Sequence, residues 1–559
     1  MDLSDPWLQI QPLLAQLEAE AFTLRFVLLS NIAEKLLSTL LLVRTAFNAT
    51  CPVNHLPPEI FTEIFGFCSP PLDPYPDDSP RIANTVWPSL FDFKDVGKLV
   101  PLTHVCRHWR DVALQAPSLW TTIHGRSKTS TANTCISRSQ AAGLRVAYNG
   151  RSLGTATDLC RTIGPQIQTL FCDVATFDYD FVRRRSQFPE LPGDIMENLG
   201  VLATALDPEL VPPSPPRLWS EDIPLLKVLV WRGIQWFPVD KFGNLTHLFI
   251  ERTTMPVARL LGLLSDTPRL KDLGLYNLCE SDSSESRIRH SSAHAPRPAL
   301  SHLRRLSISN PDERLIYNLL THLVIPAHVA ISFEDCDAST LRWLPPLEAF
   351  QDLTCIRISS DDSVVAVNTS TAVRFHTSSD IQRPQYRTWL TALMSFLHMG
   401  AVREVWLEGM HSVGEKTRLE ILLPAIPSLS VLHIRCESFL ALKGYLSLSA
   451  DPPRCTHLTS LRLFNSPFSI WPEEISELVA SREAIGYPLQ QIIFMDAEPT
   501  IVLRYIESAD LKTVRLRGPD DASVMPMPEV CTVGVSSPHF WPKQWVSTSF
   551  SKQSLSILN

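Results

Sequence analysis

The sequence predicts a mixed α/β chain in which a small N-terminal helical module is followed by an irregular solenoid of short parallel strands alternating with helices. Three observations predict it. Two short helix-forming segments carry more apolar surface than they can bury alone, and a pattern apolar-x-x-apolar-x-apolar returns through most of the chain. The composition, 45% hydrophobic and 19% charged over 559 residues, is that of an ordinary globular protein long enough for one small domain and a repeat.

Residues 1–50 read as one long helix. Between positions 8 and 47, Leu13, Leu17, Leu24, Leu28, Ile32, Leu36, Leu40, Val43 and Phe47 recur at spacings of three, four or seven. From Phe26 to Val43 the helix is apolar over much of its circumference, but Glu34 and Lys35 lie in its middle. Each costs about 2.5 to 3.5 kcal/mol at a bilayer centre, so a helix packed against the next module or another chain is expected, with no membrane partner. The start, Met-Asp-Leu-Ser-Asp-Pro, is acidic and unlike a signal peptide.

Residues 51–125 hold the two helix candidates. Pro57 and Pro58 suit a first helical turn, Glu59 and Glu63 sit near its positive end, and Leu56, Ile60 and Ile64 fall four apart with Phe61, Phe65 and Phe67 flanking. The second candidate puts Val105, Trp109, Val112 and Ala116 on one face and Arg107, Arg110 and Asp111 on the other, and Pro117 stops it. Between them, residues 69–98 open with a run of prolines and acids that reads as an excursion loop.

Leu56-Pro57-Pro58-Glu59-Ile60 with Ile64-Phe65, then Val105-Cys106-Arg107-His108-Trp109-Arg110 and Pro117-Ser118-Leu119-Trp120, resemble the F-box motif in its fungal, F-box-like form. The resemblance covers roughly a tenth of the chain. It implies a three-helix module that docks on a Skp adaptor, and through it on a cullin ubiquitin ligase, while the rest of the chain captures a protein substrate. It implies adaptor contacts at Leu56, Pro57, Pro58, Ile60, Phe61, Ile64, Phe65, Val105, Cys106 and Trp109, with Trp109 and Trp120 also holding the helices together.

In residues 126–220, a linker with the first irregular repeats, Ile136–Ala142 reads as a short helix and Leu144–Asn149 as a half-buried strand exposing Arg145. The repeat pattern is weak at Ile167/Leu170 and clear over 221–520. It runs through Leu226/Leu229/Trp231, Leu245/Leu248/Ile250, Leu270/Leu273/Leu275, Leu303/Leu306/Ile308 and Leu353/Ile356/Ile358, with Ile331/Phe333 a second weaker copy before the last. It continues at Val402/Val405/Leu407, Leu429/Leu432/Ile434, Leu458/Leu461/Leu463, Leu489/Ile492/Phe494 and Leu511/Val514/Leu516.

Middle residues mostly lie 19 to 33 apart, the period at which leucine-rich repeats stack a strand on the previous one. Val257–Leu264, Tyr386–Leu397 and Trp471–Val479 read as helices between strands. Of the Asn or Cys expected after each strand only Cys336 is in place, while Asn277, Asn310, Cys436 and Asn465 fall one residue early. The chain therefore resembles an N-terminal F-box module followed by an irregular leucine-rich-repeat solenoid. Cys279–Pro298 and Ser359–Arg383 are expected as insertions too poor in apolar residues to bury, the second filling a gap of 49 between Ile356 and Val405. Residues 521–559, with Phe540, Trp541 and Trp545, are expected to cap the last repeat.

Little in the sequence points to catalysis. Gly150-Arg151-Ser152-Leu153-Gly154 fits the nucleophile elbow of a serine hydrolase, but the strand before it alternates where such enzymes bury both faces. His104, Cys106 and His108, read on one helix, place the cysteine away from the histidines, and His290 and His294 lack further ligands. No phosphate loop or dinucleotide fingerprint occurs, and no cofactor or metal is expected. A net charge of -8 with one basic run, Arg183–Arg185, speaks against nucleic acid. Twelve cysteines without Cys-x-x-Cys spacing fit a cytoplasmic or nuclear protein with reduced thiols, where the sequons at Asn48, Asn244 and Asn368 go unused. The expected function is non-enzymatic: the substrate receptor of an SCF-type (Skp–cullin–F-box) ligase. A leucine-rich-repeat scaffold with a degenerate F-box is the alternative, and a hydrolase at Ser152 the remote one.

Overall fold

The structure is a computed structural model. It describes residues 6–20, 26–70, 91, 93–124, 129–150, 163–176, 195–205, 225–280, 297–310, 312–359, 363–377, 383–408, 415–446, 453–464, 472–494, 514–516 and 525–532. The chain divides into two compact units. The first comprises Met1–Asp73, Phe93–Ile123 and Ser127–Leu144, and the second comprises Pro74–Asp92, His124–Arg126 and Arg145–Asn559.

In the first unit the long N-terminal helix is two described helices, α1 (Pro6–Glu20) and α2 (Phe26–Thr50). The expectation that α2 packs along the next module is corrected, because it has no buried residue. Its apolar residues are spread around the circumference, so no single stripe selects a packing face. Among the described residues it is the one helix long and apolar enough to cross a membrane. The module itself contains α3 (Pro58–Cys68) and α4 (Arg107–Gln115) with short 3-10 turns between and after them. A further helix, α5, spans Thr129–Ser139 rather than 136–142: it begins inside a stretch rich in serine and threonine, residues 126–134.

The second unit is built on a sheet. After the short strands β1 (Thr122–His124) and β2 (Leu144–Gly150) come β3 (Ile167–Thr176), β4 (Asn198–Ala205), β5 (Val228–Arg232), β6 (His247–Glu251), β7 (Asp272–Tyr276), β8 (Arg305–Ser309) and β9 (Ala330–Glu334). β10 (Cys355–Ile358), β11 (Ser363–Val367), β12 (Ala372–His376), β13 (Glu404–Leu407), β14 (Val431–Arg435), β15 (Ser460–Phe464), β16 (Gln491–Phe494) and β17 (Val514–Leu516) follow. β3 to β9 pair in sequence and in parallel, and so do β13 to β17. Each clear repeat of the sequence pattern lies on one of these strands. β4 was not anticipated, since Gly200 interrupts its apolar run. In β2, Ala147 is buried as well as Leu144, Val146 and Tyr148, so the strand is less one-sided than its alternation suggests.

Ser359–Arg383 is not a solvated insertion. Its described residues form a hairpin, β11 antiparallel to β12, threaded into the sheet so that β12 pairs in parallel with β9 and β11 antiparallel with β10, while β10 pairs in parallel with β13. The physical reason is a β-branched run, Val364-Val365-Ala366-Val367, and the pair Val373 and Phe375, all buried. Asn368 turns the chain between them, its Oδ1 accepting the backbone N–H groups of Ser370 at 2.9 Å and Thr371 at 2.7 Å.

The early asparagines also have a reason. Arg252, Asn277, Asn310 and Asp335 directly follow β6 to β9 and have φ between 42° and 53°, and Gly233 after β5 is also left-handed, with φ 69°. In this left-handed conformation the Gly233, Arg252, Asn277 and Asn310 N–H groups reach a carbonyl of the following strand, Asn277 to Ser309 at 2.9 Å and Asn310 to Glu334 at 3.1 Å. Asn310 Nδ2 also donates to Asn277 Oδ1 at 2.9 Å, so the side chains stack as a short ladder.

The two sheet faces differ. One buries Leu229, Trp231, Leu248 and their successors, and at Phe333, Phe375 and Phe396 it meets the helix Arg383–Phe396. On the other face, Phe91 stands over Gly200, where a Cβ would lie 2.7 Å from its Cζ. Phe91 and Phe93 are buried, so the end of the expected loop 69–98 is packed, while its residues 71–90 and 92 lie outside the described residues. The expected insertion Cys279–Pro298 lies mostly outside the described residues, as do Ser152, His290, His294, Phe540, Trp541 and Trp545.

Candidate functional site

The site is α3 and what surrounds it. Pro57 caps its start, the carbonyl accepting the N–H groups of Ile60 at 3.0 Å and Phe61 at 3.2 Å. The helix carries two apolar stripes. Phe61 and Phe65, four apart, are fully buried and meet Trp109 with ring centroids 5.6 and 5.4 Å away, while His108 closes over Phe61 at 5.3 Å. Ile60, Ile64 and Phe67, at positions i, i+4 and i+7, form the second stripe: Ile60 is 46% exposed, Phe67 is 86% exposed and Ile64 is half-buried. Elsewhere on the module Pro57, Pro58, Val53, Val100 and Val105 are also exposed, and Leu56 is half-buried.

Geometry thus separates residues that the sequence grouped. Phe61 and Phe65 present no surface to a partner, which corrects their assignment as contacts: they are the core that fixes α3 on α4. Trp109 is largely committed inward too. Its Nε1 donates to Asn54 Oδ1 at 2.6 Å, and Asn54 Nδ2 donates to the Asn48 carbonyl at the end of α2 at 2.6 Å. Val105 is not on a helix face. The segment breaks there, and Cys106 is the extended N-cap of α4, its sulfur accepting the Trp109 N–H at 3.5 Å. His104, Cys106 and His108 therefore do not share one helix. Among the described residues no group of three or more His, Cys, Asp or Glu side chains is placed to hold a metal.

Two further contacts brace the module. Trp120 Nε1 donates to the Ala113 carbonyl at 2.7 Å, and the Arg138 guanidinium of α5 lies 4.4 Å over the Trp120 ring. At the base of the insertion, Ser69 Oγ donates to the Asp95 carbonyl at 2.8 Å and the Asp95 N–H returns to the Pro70 carbonyl at 3.0 Å. The excursion thus leaves and rejoins at one stitched point. Phe67 is the residue that sequence reasoning left out of the contact set, although its i+7 spacing from Ile60 was the available signal.

The arrangement is a platform of α3, α4 and their 3-10 turns whose inner stripe is buried and whose outer stripe is open. Its exposed apolar residues suit it to bind an apolar surface. No curated protein matches the chain. Residues 53–126, the platform just described, match the family model F-box-like, and the chain carries an F-box-like domain.

Proposed function

We propose that this protein is the substrate receptor of a Skp–cullin–F-box ubiquitin ligase. The observation that carries the reading is the open stripe Ile60–Ile64–Phe67 on a module that matches the F-box-like model and has already filled its own core. F-box-like domains typically bind Skp-type adaptors. Covering Phe67 would contribute about 1.5 to 3 kcal/mol and covering Ile60, already half buried, roughly half as much, enough to anchor an interface when joined by Pro57, Pro58, Leu56 and Val105. The array of parallel strands that follows, read as irregular leucine-rich repeats, would hold a protein target. The receptor's contribution to ubiquitin transfer is proximity, which needs no catalytic residue or cofactor, and the proposed site of action is the cytoplasm or nucleus.

A degenerate F-box on a scaffold was suggested by the insertion after Cys68. Against that alternative, Ser69, Pro70 and Asp95 hold the two ends of the insertion together and α3 and α4 stay in contact. Co-expression with a Skp adaptor and a cullin tests the proposal. The chain is expected to co-purify with both, and with the cullin only when the adaptor is present. Recovery of the folded chain free of adaptor would overturn it.

A further inference from the structure

On the sheet face opposite the helix Arg383–Phe396, one apolar patch has a cover that belongs to the chain itself. Cys355, Val365, Val367, Trp406, Phe464 and Ile493 cluster across β10 to β16, and Met525 and Cys531 complete the cluster, 1% and 0% exposed, with Met527 and Val530 packed beside them. These four residues come from one segment, Met525–Thr532, which reads Met-Pro-Met-Pro-Glu-Val-Cys-Thr and ends in a single helical turn, Glu529–Thr532.

The way the segment is held sets it apart from the repeats. Pro526 and Pro528 remove two donors that a sheet ladder would need, and the Cys531 N–H is spent on the Pro528 carbonyl at 3.0 Å within its own turn. Its apolar anchors are Met525 and Cys531, fully buried, Pro528, also buried, and Met527 and Val530 in part, while Glu529 makes a contact of its own and the Arg305 charge acts on the Cys531 thiol. Methionine adapts to irregular surfaces, and proline lowers the entropy lost when a short peptide is ordered. The segment therefore has the composition and mode of attachment of a bound peptide.

We propose that this patch on β10 to β16 is a peptide-binding surface, that Met525–Thr532 is its resident internal ligand, and that the surface takes a short segment of another protein with apolar anchors spaced by prolines when the resident leaves. Only the identification of that other protein as a ligase target rests on the receptor reading. The site itself does not.

The test uses the full chain. A fluorescein-labelled peptide of residues 525–532 is titrated against wild type and against Met525→Glu/Cys531→Glu. The variant puts two carboxylates where the patch is apolar, so its own segment should dissociate. A tethered ligand competes at an effective concentration in the millimolar range, so the variant is expected to bind the peptide at least tenfold more tightly than wild type. Equal binding to both, or none to a folded variant, overturns the proposal. If the variant does not fold, thiol labelling of wild type decides. Cys531 should react with a maleimide at least tenfold faster than Cys436, which is buried beside β14, because the cover opens without unfolding. Equal rates would make Met525–Thr532 integral core and end the proposal. Loss of adaptor binding would leave these readings unchanged, so the two failures are distinguishable.

Discussion

Arg305 and Asp272 face each other across adjacent parallel strands as a closed fork, Nε to Oδ1 at 2.6 Å and Nη2 to Oδ2 at 2.8 Å, with 3% and 2% of the side chains exposed. His247 adds a third contact in the same register row, Nε2 to Asp272 Oδ2 at 3.0 Å. Burial works to raise the Asp272 carboxyl, but hydrogen bonds from His247 and Arg305 outweigh it and hold the group below the usual carboxylate range. Asp272→Leu leaves the Arg305 charge buried without its fork, and is expected to cost about 3 to 5 kcal/mol in urea unfolding. Asp272→Leu/Arg305→Met should recover most of that loss. A single variant as stable as wild type would contradict this.

The left-handed residues make a second, independent prediction. Asn310→Val forces a β-branched side chain to φ 42° and removes the bond to Asn277, so a loss of about 1 to 3 kcal/mol is expected. Asn310→Gly accepts the same backbone and should cost less than half as much. Thermal melting of the two variants side by side checks the ranking.

His433 sets a pH dependence. Its ring stacks on Trp406 at 3.6 Å and its Nε2 lies 2.7 Å from Glu404 Oε1. Burial dominates, and despite the neighbouring carboxylate the imidazole is lowered to about 4. In the unfolded chain the group takes up a proton near pH 6.5. Between pH 6.5 and 4 the unfolded state thus binds more protons, and stability should fall as pH drops through this window, by up to roughly 3 kcal/mol. His433→Phe keeps an aromatic ring on Trp406 and should flatten that slope in urea midpoints taken at pH 7, 5.5 and 4.5. Parallel slopes in variant and wild type would refute the assignment.

The repeating strands were legible in the sequence because buried positions at fixed offsets leave a periodic mark, as at Leu229, Leu248 and Leu273. The hairpin β11–β12 was missed because Val364–Val367 is short and surrounded by serine, threonine and aspartate, which masks a strand buried on both faces. In the F-box-like module the motif was visible, but the division of α3 into an inner and an outer stripe was not. Phe61 and Ile60 are equally apolar neighbours, and only the placement of Trp109 decides which of them is core. The segment Met525–Thr532 left no periodic signal either, since its register is set by a surface assembled from strands far away in sequence.

The account turns on the outer stripe of α3, and the most direct measurement is the affinity of a purified Skp adaptor for wild type and for Ile60→Asp, by calorimetry on proteins shown to be folded. Ile60 is 46% exposed, so the substitution should leave melting within about 1 kcal/mol of wild type. A carboxylate in the centre of an apolar interface should weaken binding by at least a hundredfold. Wild type that does not bind the adaptor, or an Ile60→Asp variant that binds it equally well, would contradict the account.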